Sequence, residues 1–189
     1  MRYLYAVFGI FLLLAASAAA GSFTAEMDVD TYVDADNASK SYSDSDLLWA
    51  ASQSGEPTKE IYLSFINILG SQGIFDPEQI DSATLTVQVD QVEKPGKIVA
   101  YFLHGATFDT STWSDKGDYD EEASSEPVEI SKPGSYAIDA SDIIKKAVET
   151  CTEGCPYSIV LVAEGDAAVA LSSSHSEGVG PKLVYATAE

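Results

Sequence analysis

Ile80-Asp-Ser-Ala-Thr-Leu-Thr-Val-Gln-Val-Asp-Gln-Val92 decides the fold. Ala83, Leu85, Val87 and Val89 fall on one side of a strict alternation, and Thr84, Thr86, Gln88 and Asp90 on the other. Side chains of an extended chain switch faces at every residue, so the stretch is a strand with one dry and one wet face. Strands of a parallel sheet are usually covered on both sides, so this pattern belongs to antiparallel sheets packed face to face.

Toward the N-terminus, Ser22–Val33 reads as a second strand of the same kind. Phe23, Ala25, Met27, Val29, Thr31 and Val33 share the dry face, and Thr24, Glu26, Asp28, Asp30 and Tyr32 the wet one. Asp34–Asp46 is a small, polar, acidic loop. Leu47–Ser52 is a short strand carrying Trp49, Gln53–Thr58 a turn, and Lys59–Leu69 a strand with Ile61, Leu63 and Phe65 on one face. Beyond the central stretch, Lys94-Pro-Gly-Lys97 predicts a hairpin-like turn into an apolar strand, Ile98–Leu103. His104–Pro133 is irregular, and a loop of that length in a compact domain usually has a job. Ser135–Asp139 is a strand. Ser141 then stands as the N-cap of a helix over Asp142–Glu149, with Ile143, Ile144, Ala147 and Val148 at helical spacing. Tyr157–Ala163, Ala167–Ser172 and Lys182–Thr187 are the closing strands. The expectation is an all-β protein, an antiparallel jelly-roll β-sandwich with one short helix.

The first 20 residues predict a separate element. Met1-Arg2, an apolar run from Tyr3 to Leu14 and small residues from Ala15 to Ala20 make a secretory signal peptide, leaving residues 21–189 as a single β-sandwich domain. An uncleaved anchor is the competing reading, since Tyr3–Ala20 is nearly long enough to span a bilayer. The expected location is extracellular or at the cell surface, with no membrane contact after cleavage. The formal charge is −20 and the only arginine is Arg2. Phosphate backbones are bound by clustered Lys and Arg, so nucleic acid is excluded as a partner. Cys151 and Cys155 frame Cys-Thr-Glu-Gly-Cys, a Gly-containing turn that an oxidising compartment closes into a disulfide. Asn37-Ala-Ser39 is an N-glycosylation sequon in an exposed loop.

Asp30-Thr-Tyr-Val33, Ile61-Tyr-Leu-Ser-Phe65, Ile80-Asp-Ser-Ala-Thr-Leu85, the Phe108…Trp113 spacing, Gly134-Ser-Tyr-Ala-Ile-Asp139 and Pro181-Lys-Leu-Val-Tyr185 follow one another along the chain. In that order they resemble the DNRLRE family of extracellular β-sandwich modules, also classed among carbohydrate-binding modules. The resemblance runs from about Val29 to Thr187. It implies a jelly roll without catalysis of its own, and a role in glycan binding or surface attachment on microbial cells.

His104 and His175 lie far apart, and HExxH, GxSxG and Walker patterns are missing, so the chain reads as non-enzymatic. No cofactor is required. Calcium is a candidate ligand for Asp115, Asp118, Asp120 and Glu121, with Glu122 beside them and Gly117 to bend the chain. Asp28, Asp30, Asp34 and Asp36 form a second candidate set. Aromatic rings that stack on sugars are sought at Trp49, Tyr42 and Tyr119. The Ser22–Val33 strand, with Phe23, Ala25, Met27 and Val29, is a candidate donor to the sheet edge of another copy, which propagates head to tail into a filament. Pairing within its own domain is the rival reading. The expectation is therefore a secreted structural or adhesive component of a microbial surface, partnered by copies of itself or by surface glycans. The alternative is a soluble carbohydrate-binding module with a calcium-supported loop.

Overall fold

A computed structural model describes residues 21–176 and 179–188. The expected signal peptide, residues 1–20, lies outside the described residues. In chain order the strands are β1 (Ser22–Thr24), β2 (Glu26–Asp34), β3 (Leu47–Gln53), β4 (Glu56–Ile66), β5 (Ile80–Lys94), β6 (Gly96–His104), β7 (Asp120–Ser124), β8 (Val128–Ile130) and β9 (Gly134–Asp139). Helix α1 (Ser141–Thr150) follows, then β10 (Pro156–Glu164), β11 (Ala168–Ser172) and β12 (Lys182–Thr187). Hydrogen bonds join them in the order β1-β12-β5-β11-β3-β4-β10-β6-β7, with β2 also on β4, β8 on β6 and β9 on β5. All pairings are antiparallel. The sheet curls on itself: Leu85, Val87 and Val89 of β5 share one core with Ile61, Leu63 and Phe65 of β4 and Ile159 and Leu161 of β10. The fold is all-β, as the central stretch predicts.

Strand β5 keeps its alternation, with Ala83, Leu85, Val87 and Val89 buried. Helix α1 buries Ile143, Ile144, Ala147 and Val148, and Cys151 is bonded to Cys155 across a Cα–Cα distance of 5.7 Å. The capping is different. Ser141 is the first helical residue, and its N–H and hydroxyl both donate to Asp139 Oδ1, at 2.9 and 2.6 Å. The N-cap position is Ala140, which brings no side-chain acceptor, and Asp139, one residue earlier, accepts from Ser141 instead. The Ser141 hydroxyl oxygen instead accepts from Ala83 N, stitching the helix to β5.

Three turns also depart from expectation. The β3–β4 turn is only Ser54-Gly55, both at positive φ, the pairing a two-residue hairpin demands. Lys94–Lys97 is no hairpin, because β5 and β6 do not pair; the chain crosses there between layers, and a Cβ on Gly96 would sit 2.5 Å from that of Ala167. His104–Pro133 contains β7 and β8, both laid on β6. These strands are too short and too charged to show a period.

The largest correction concerns Ser22–Val33. The stretch is two strands: β1 pairs with β12 and β2 with β4 of the same chain, so the segment proposed as a donor, with Phe23, Ala25, Met27 and Val29, lies in its own sheet. Strand β2 carries a bulge between Met27 and Val29. One surplus residue in a strand inverts the faces beyond it. Phe23, Ala25 and Met27 face the main core as expected, but beyond the bulge Tyr32 joins them. Val33, expected on that face, lies on the opposite one. Asp30 sits opposite Leu63 and is 1% exposed, its carboxylate accepting from Ser174 N at 2.6 Å and Ser174 Oγ at 2.9 Å.

Candidate functional site

The outward face of β2, β4, β10 and β6 is not wet. Val33, Tyr62, Leu103, Val160 and Val162 form a second apolar cluster there, packed against Tyr101, Trp113 and Tyr119. Strand β10 is buried at every position from Tyr157 to Ala163, so both of its faces need cover. The inner one is covered by the main core and the outer one by residues 105–119.

That covering segment is pinned along its length. Gly105 N donates to Pro156 O, and Ser158 Oγ returns a bond to Gly105 O. Thr107 shares a buried hydroxyl contact of 2.9 Å with Ser158. Ser41 Oγ donates to Asp109 O, and Ser114 N and Oγ both donate to Ala38 O. Tyr62 Oη reaches Gly117 O at 3.3 Å. The most buried link is ionic. Glu60, 1% exposed, accepts from Lys116 Nζ at 2.5 Å and from Tyr62 Oη at 2.9 Å. Lys116 also lies 3.9 Å above the ring centre of Trp113, a cation–π contact. Burial and the nearby Glu60 carboxylate push the Tyr62 phenol far up, so it remains a donor.

Between the segment and the sheet lies a cleft of about 170 Å³. Val33, Tyr62 and Leu103 form its floor; Phe108, Ser111, Asp115 and His104 stand around its mouth. Phe108 is 65% exposed. Asp115 Oδ1 accepts from Thr112 Oγ1 at 2.7 Å and Thr112 N at 2.6 Å, which holds the carboxyl below its usual range. The cleft thus offers an aromatic ring, an ionised carboxylate and a serine hydroxyl within one opening.

A second aromatic cluster flanks it across the Ala38–Ser114 contact. Tyr42 stacks on Tyr32 with ring centres 4.2 Å apart, and Lys40 Nζ lies 4.4 Å from the Tyr42 ring centre. Lys59 Nζ lies 5.9 Å from both the Tyr32 and the Trp49 ring centres. Asp34 ties the cluster together, bonded to Asn37 Nδ2, Asp36 N, Tyr42 Oη and Lys59 Nζ. Burial works to raise the Asp34 carboxyl, but the bonds from Asn37 and Asp36 and the charge of Lys59 outweigh it and hold it below its usual value. The Tyr32 phenol is pushed up to about 12, first by burial and then by Tyr42 and Asp34.

A group whose folded pKa is lowered contributes stability that is present above its unfolded pKa and lost as pH falls through the folded one. Acidification below the ordinary Asp value of 3.8 should therefore remove the Asp34 contribution progressively. Asp34→Asn should make that acid limb shallower in urea titrations run from neutral to acid pH. Identical limbs for wild type and variant would rule out the Asp34 contribution.

Of the candidates for sugar stacking, Trp49 lies beside Lys59 and Tyr42 is joined to it through Tyr32 and Asp34, whereas Tyr119 stands apart. Tyr119 stacks on Tyr101 at 4.6 Å beside Trp113 and is pushed up to about 12 by burial, then Glu60. The carboxylates sought for calcium do not converge. Asp115 is taken up by Thr112, Asp120 by Glu122 N and by Lys146 at 3.8 Å, and Asp118 and Glu121 are exposed. Asp30 and Asp34 are likewise engaged by Ser174 and by the Asn37 group, while Asp28 and Asp36 are exposed. Among the described residues no group of three or more His, Cys, Asp or Glu is arranged to hold a metal ion. Asn37 is exposed, with its amide on Asp34. His104 is an exposed rim residue, and His175 Nε2 lies 3.6 Å from Asp30.

Sequence reasoning missed the site-forming roles of Phe108, Ser111 and the Glu60–Lys116 pair. One sign of them is in the sequence: an uninterrupted apolar run at Ile159–Ala163 needs cover on both faces, and His104–Pro133 is the longest segment free to supply it. No helix among the described residues is long and apolar enough to cross a membrane. The family model of carbohydrate-binding modules numbered 96 matches residues 22–187. No curated protein matches the chain.

Proposed function

The chain belongs to carbohydrate-binding module family 96, a family of non-catalytic binding modules, and from that premise we propose that it binds a neutral glycan outside the cell. The observation that carries this reading is the exposed Phe108 ring at the mouth of the cleft, beside Ser111 and Asp115. A sugar ring has an apolar face of C–H groups and an edge of hydroxyls. An aromatic side chain takes the first, and a carboxylate and a hydroxyl take the second.

Charge favours a neutral ligand. The net charge of −20 repels polyanions. Two of the lysines around the cleft and its flanking cluster are paired, Lys116 with Glu60 and Lys59 with Asp34, and the third, Lys40, lies over the Tyr42 ring. Tyr42 is a poorer platform than Phe108, because Tyr32 covers one side of its ring and Lys40 the other. A structural, filament-forming role finds no comparable support, since Ser22–Asp34 is satisfied within its own sheet.

The test is affinity electrophoresis through gels containing neutral plant and microbial polysaccharides, with polyuronates as the anionic comparison. Retention is expected on a neutral polymer and not on a polyuronate. Phe108→Ala should weaken it at least tenfold, about 1.4 kcal/mol, while Tyr42→Ala changes it far less. Retention on polyuronates alone, or equal loss in both variants, would overturn the assignment.

A further inference from the structure

Away from the cleft, one end of the sandwich carries an apolar patch on an otherwise acidic surface. Among the described residues, the large apolar side chains left exposed are Ile66, Ile68, Phe75, Phe108 and Val179. The first three, at 44, 53 and 68% exposure, gather around the Cys151–Cys155 ring. Ile66 is paired with Pro156, the residue that follows that ring. A Cβ on Gly154 would sit 3.2 Å from Ile68 Cγ1, and one on Gly70 would sit 3.0 Å from both the Phe75 ring and Thr152 O. We infer that this end rests on a lipid bilayer with zwitterionic headgroups, its three exposed side chains entering the interfacial layer.

The backbone of the patch is already prepared to leave water. Lipid offers no hydrogen-bond partner, so a loop that enters it must satisfy its N–H groups internally. The β4–β5 connection does so. Gly70 N donates to Thr152 O, Ser71 N to Ile68 O, Gly73 N to Gly70 O and Ile74 N to Leu69 O. Phe75 N and Asp76 N both donate to Gln79 Oε1, and Gln79 Nε2 returns a bond to Gly73 O. A connection that stays in water can leave such donors to the solvent. Here the apolar side chains stand on a scaffold whose donors are taken.

The chain outside the described domain joins it at this same end. Gly21 N donates to Thr187 Oγ1, and Thr187 N returns a bond to Gly21 O. Ala188 N donates to Gln79 O, next to the loop that carries Phe75. The apolar run Tyr3–Leu14 and the small residues up to Ala20 therefore precede a point beside the patch. A leader that enters a membrane brings this end to the bilayer. Once the leader is removed, the patch remains as a surface contact, which needs no spanning segment.

Charge selects the headgroup. Glu26, paired with Ile66, and Asp76, Glu78 and Glu153 are exposed around the patch, and the chain carries a net charge of −20. Anionic lipid repels such a border, whereas a zwitterionic surface carries no net charge. A second copy would bring the same acidic border, which disfavours self-docking.

Cosedimentation of residues 21–189 with phosphatidylcholine vesicles, with phosphatidylglycerol as the anionic comparison, tests the contact. Weak, reversible retention is expected on phosphatidylcholine. It should fall about tenfold in Phe75→Ser, which removes one large apolar side chain from the layer, fall also in Ile68→Ser, and stay unchanged in Phe108→Ala. Circular dichroism of each variant checks that the fold is kept. In a second arm the full chain, residues 1–189, is reconstituted into brominated phosphatidylcholine, where the added emission of Phe75→Trp should be quenched and that of Phe108→Trp should not. Equal quenching at both positions, retention on phosphatidylglycerol alone, retention that survives Phe75→Ser and Ile68→Ser, or no retention at all would overturn the inference. Sedimentation velocity without lipid reads the rival occupant: a concentration-dependent dimer that Phe75→Ser abolishes would give the patch to a second copy and overturn it equally.

Discussion

Lys116→Met is expected to lower the stability of the fold by about 3 kcal/mol, the cost of leaving a buried carboxylate without its counter-charge. Glu60 has 2% of its side chain exposed, and its partners are the Lys116 ammonium and the Tyr62 hydroxyl. Lys116 retains 23% exposure, which puts the loss at the lower end of what broken buried pairs cost. The same pair fastens residues 105–119 over Val33, Leu103 and Val160, so the variant should also open the outer apolar cluster to solvent. Urea denaturation reads the first effect, and binding of a hydrophobic dye the second. Adding Glu60→Gln to Lys116→Met should recover most of the stability, because the amide carries no charge to desolvate. A double variant as unstable as the single one would mean that lost packing, and not the orphaned charge, sets the cost.

Asn67→Leu is expected to cost about 2–4 kcal/mol through a different mechanism, the orphaning of neutral groups in the main core. Asn67 Oδ1 accepts from Tyr157 Oη at 3.2 Å, and its Nδ2 donates to Tyr185 Oη at 2.9 Å. Tyr185 Oη in turn donates to Gln72 Oε1 at 2.6 Å. Both phenols are among the most buried groups of the protein, and burial pushes each of them up, so they remain protonated and in need of an acceptor. Tyr185 keeps Gln72 in the variant, but Tyr157 keeps nothing. Tyr157→Phe in the Asn67→Leu background should therefore restore part of the loss, whereas Tyr157→Phe alone should destabilise. Thermal melts of the four proteins form a complete cycle, and a zero coupling term would show that the relay is not a unit.

The sequence discloses those elements whose faces differ in polarity. Strand β5 and helix α1 are legible because one side of each is dry and the other wet, so a period appears. The disulfide is legible because five residues leave little freedom in who pairs with whom. Strand β10 is legible as a strand, but its double burial does not say what lies over its second face. The bulge in β2 is invisible because Asp28 is an ordinary polar residue between two apolar ones, and an unbroken alternation is the simplest reading of it. The start of α1 is hidden for a similar reason: Ser141 is a good cap by type, and only the chain path makes it the first helical residue, behind Ala140. At the site, residue type picks out Tyr42, Trp49 and Tyr119, but exposure of a usable ring face is a tertiary property. It favours Phe108, whose surroundings read as polar loop.

The surplus residue at position 28 fixes the reading frame of everything after it in that strand. Shortening the chain there by one would close the bulge, setting Met27 and Val29 side by side opposite Phe65 and Ser64 in a regular ladder. Tyr32 would stay inside, and Val33 would stay on the floor of the cleft. What this strand cannot bear is a one-residue slip of Val29 along its partner, which would exchange inside for outside. Substitution of Asp28 and its removal should therefore both be tolerated.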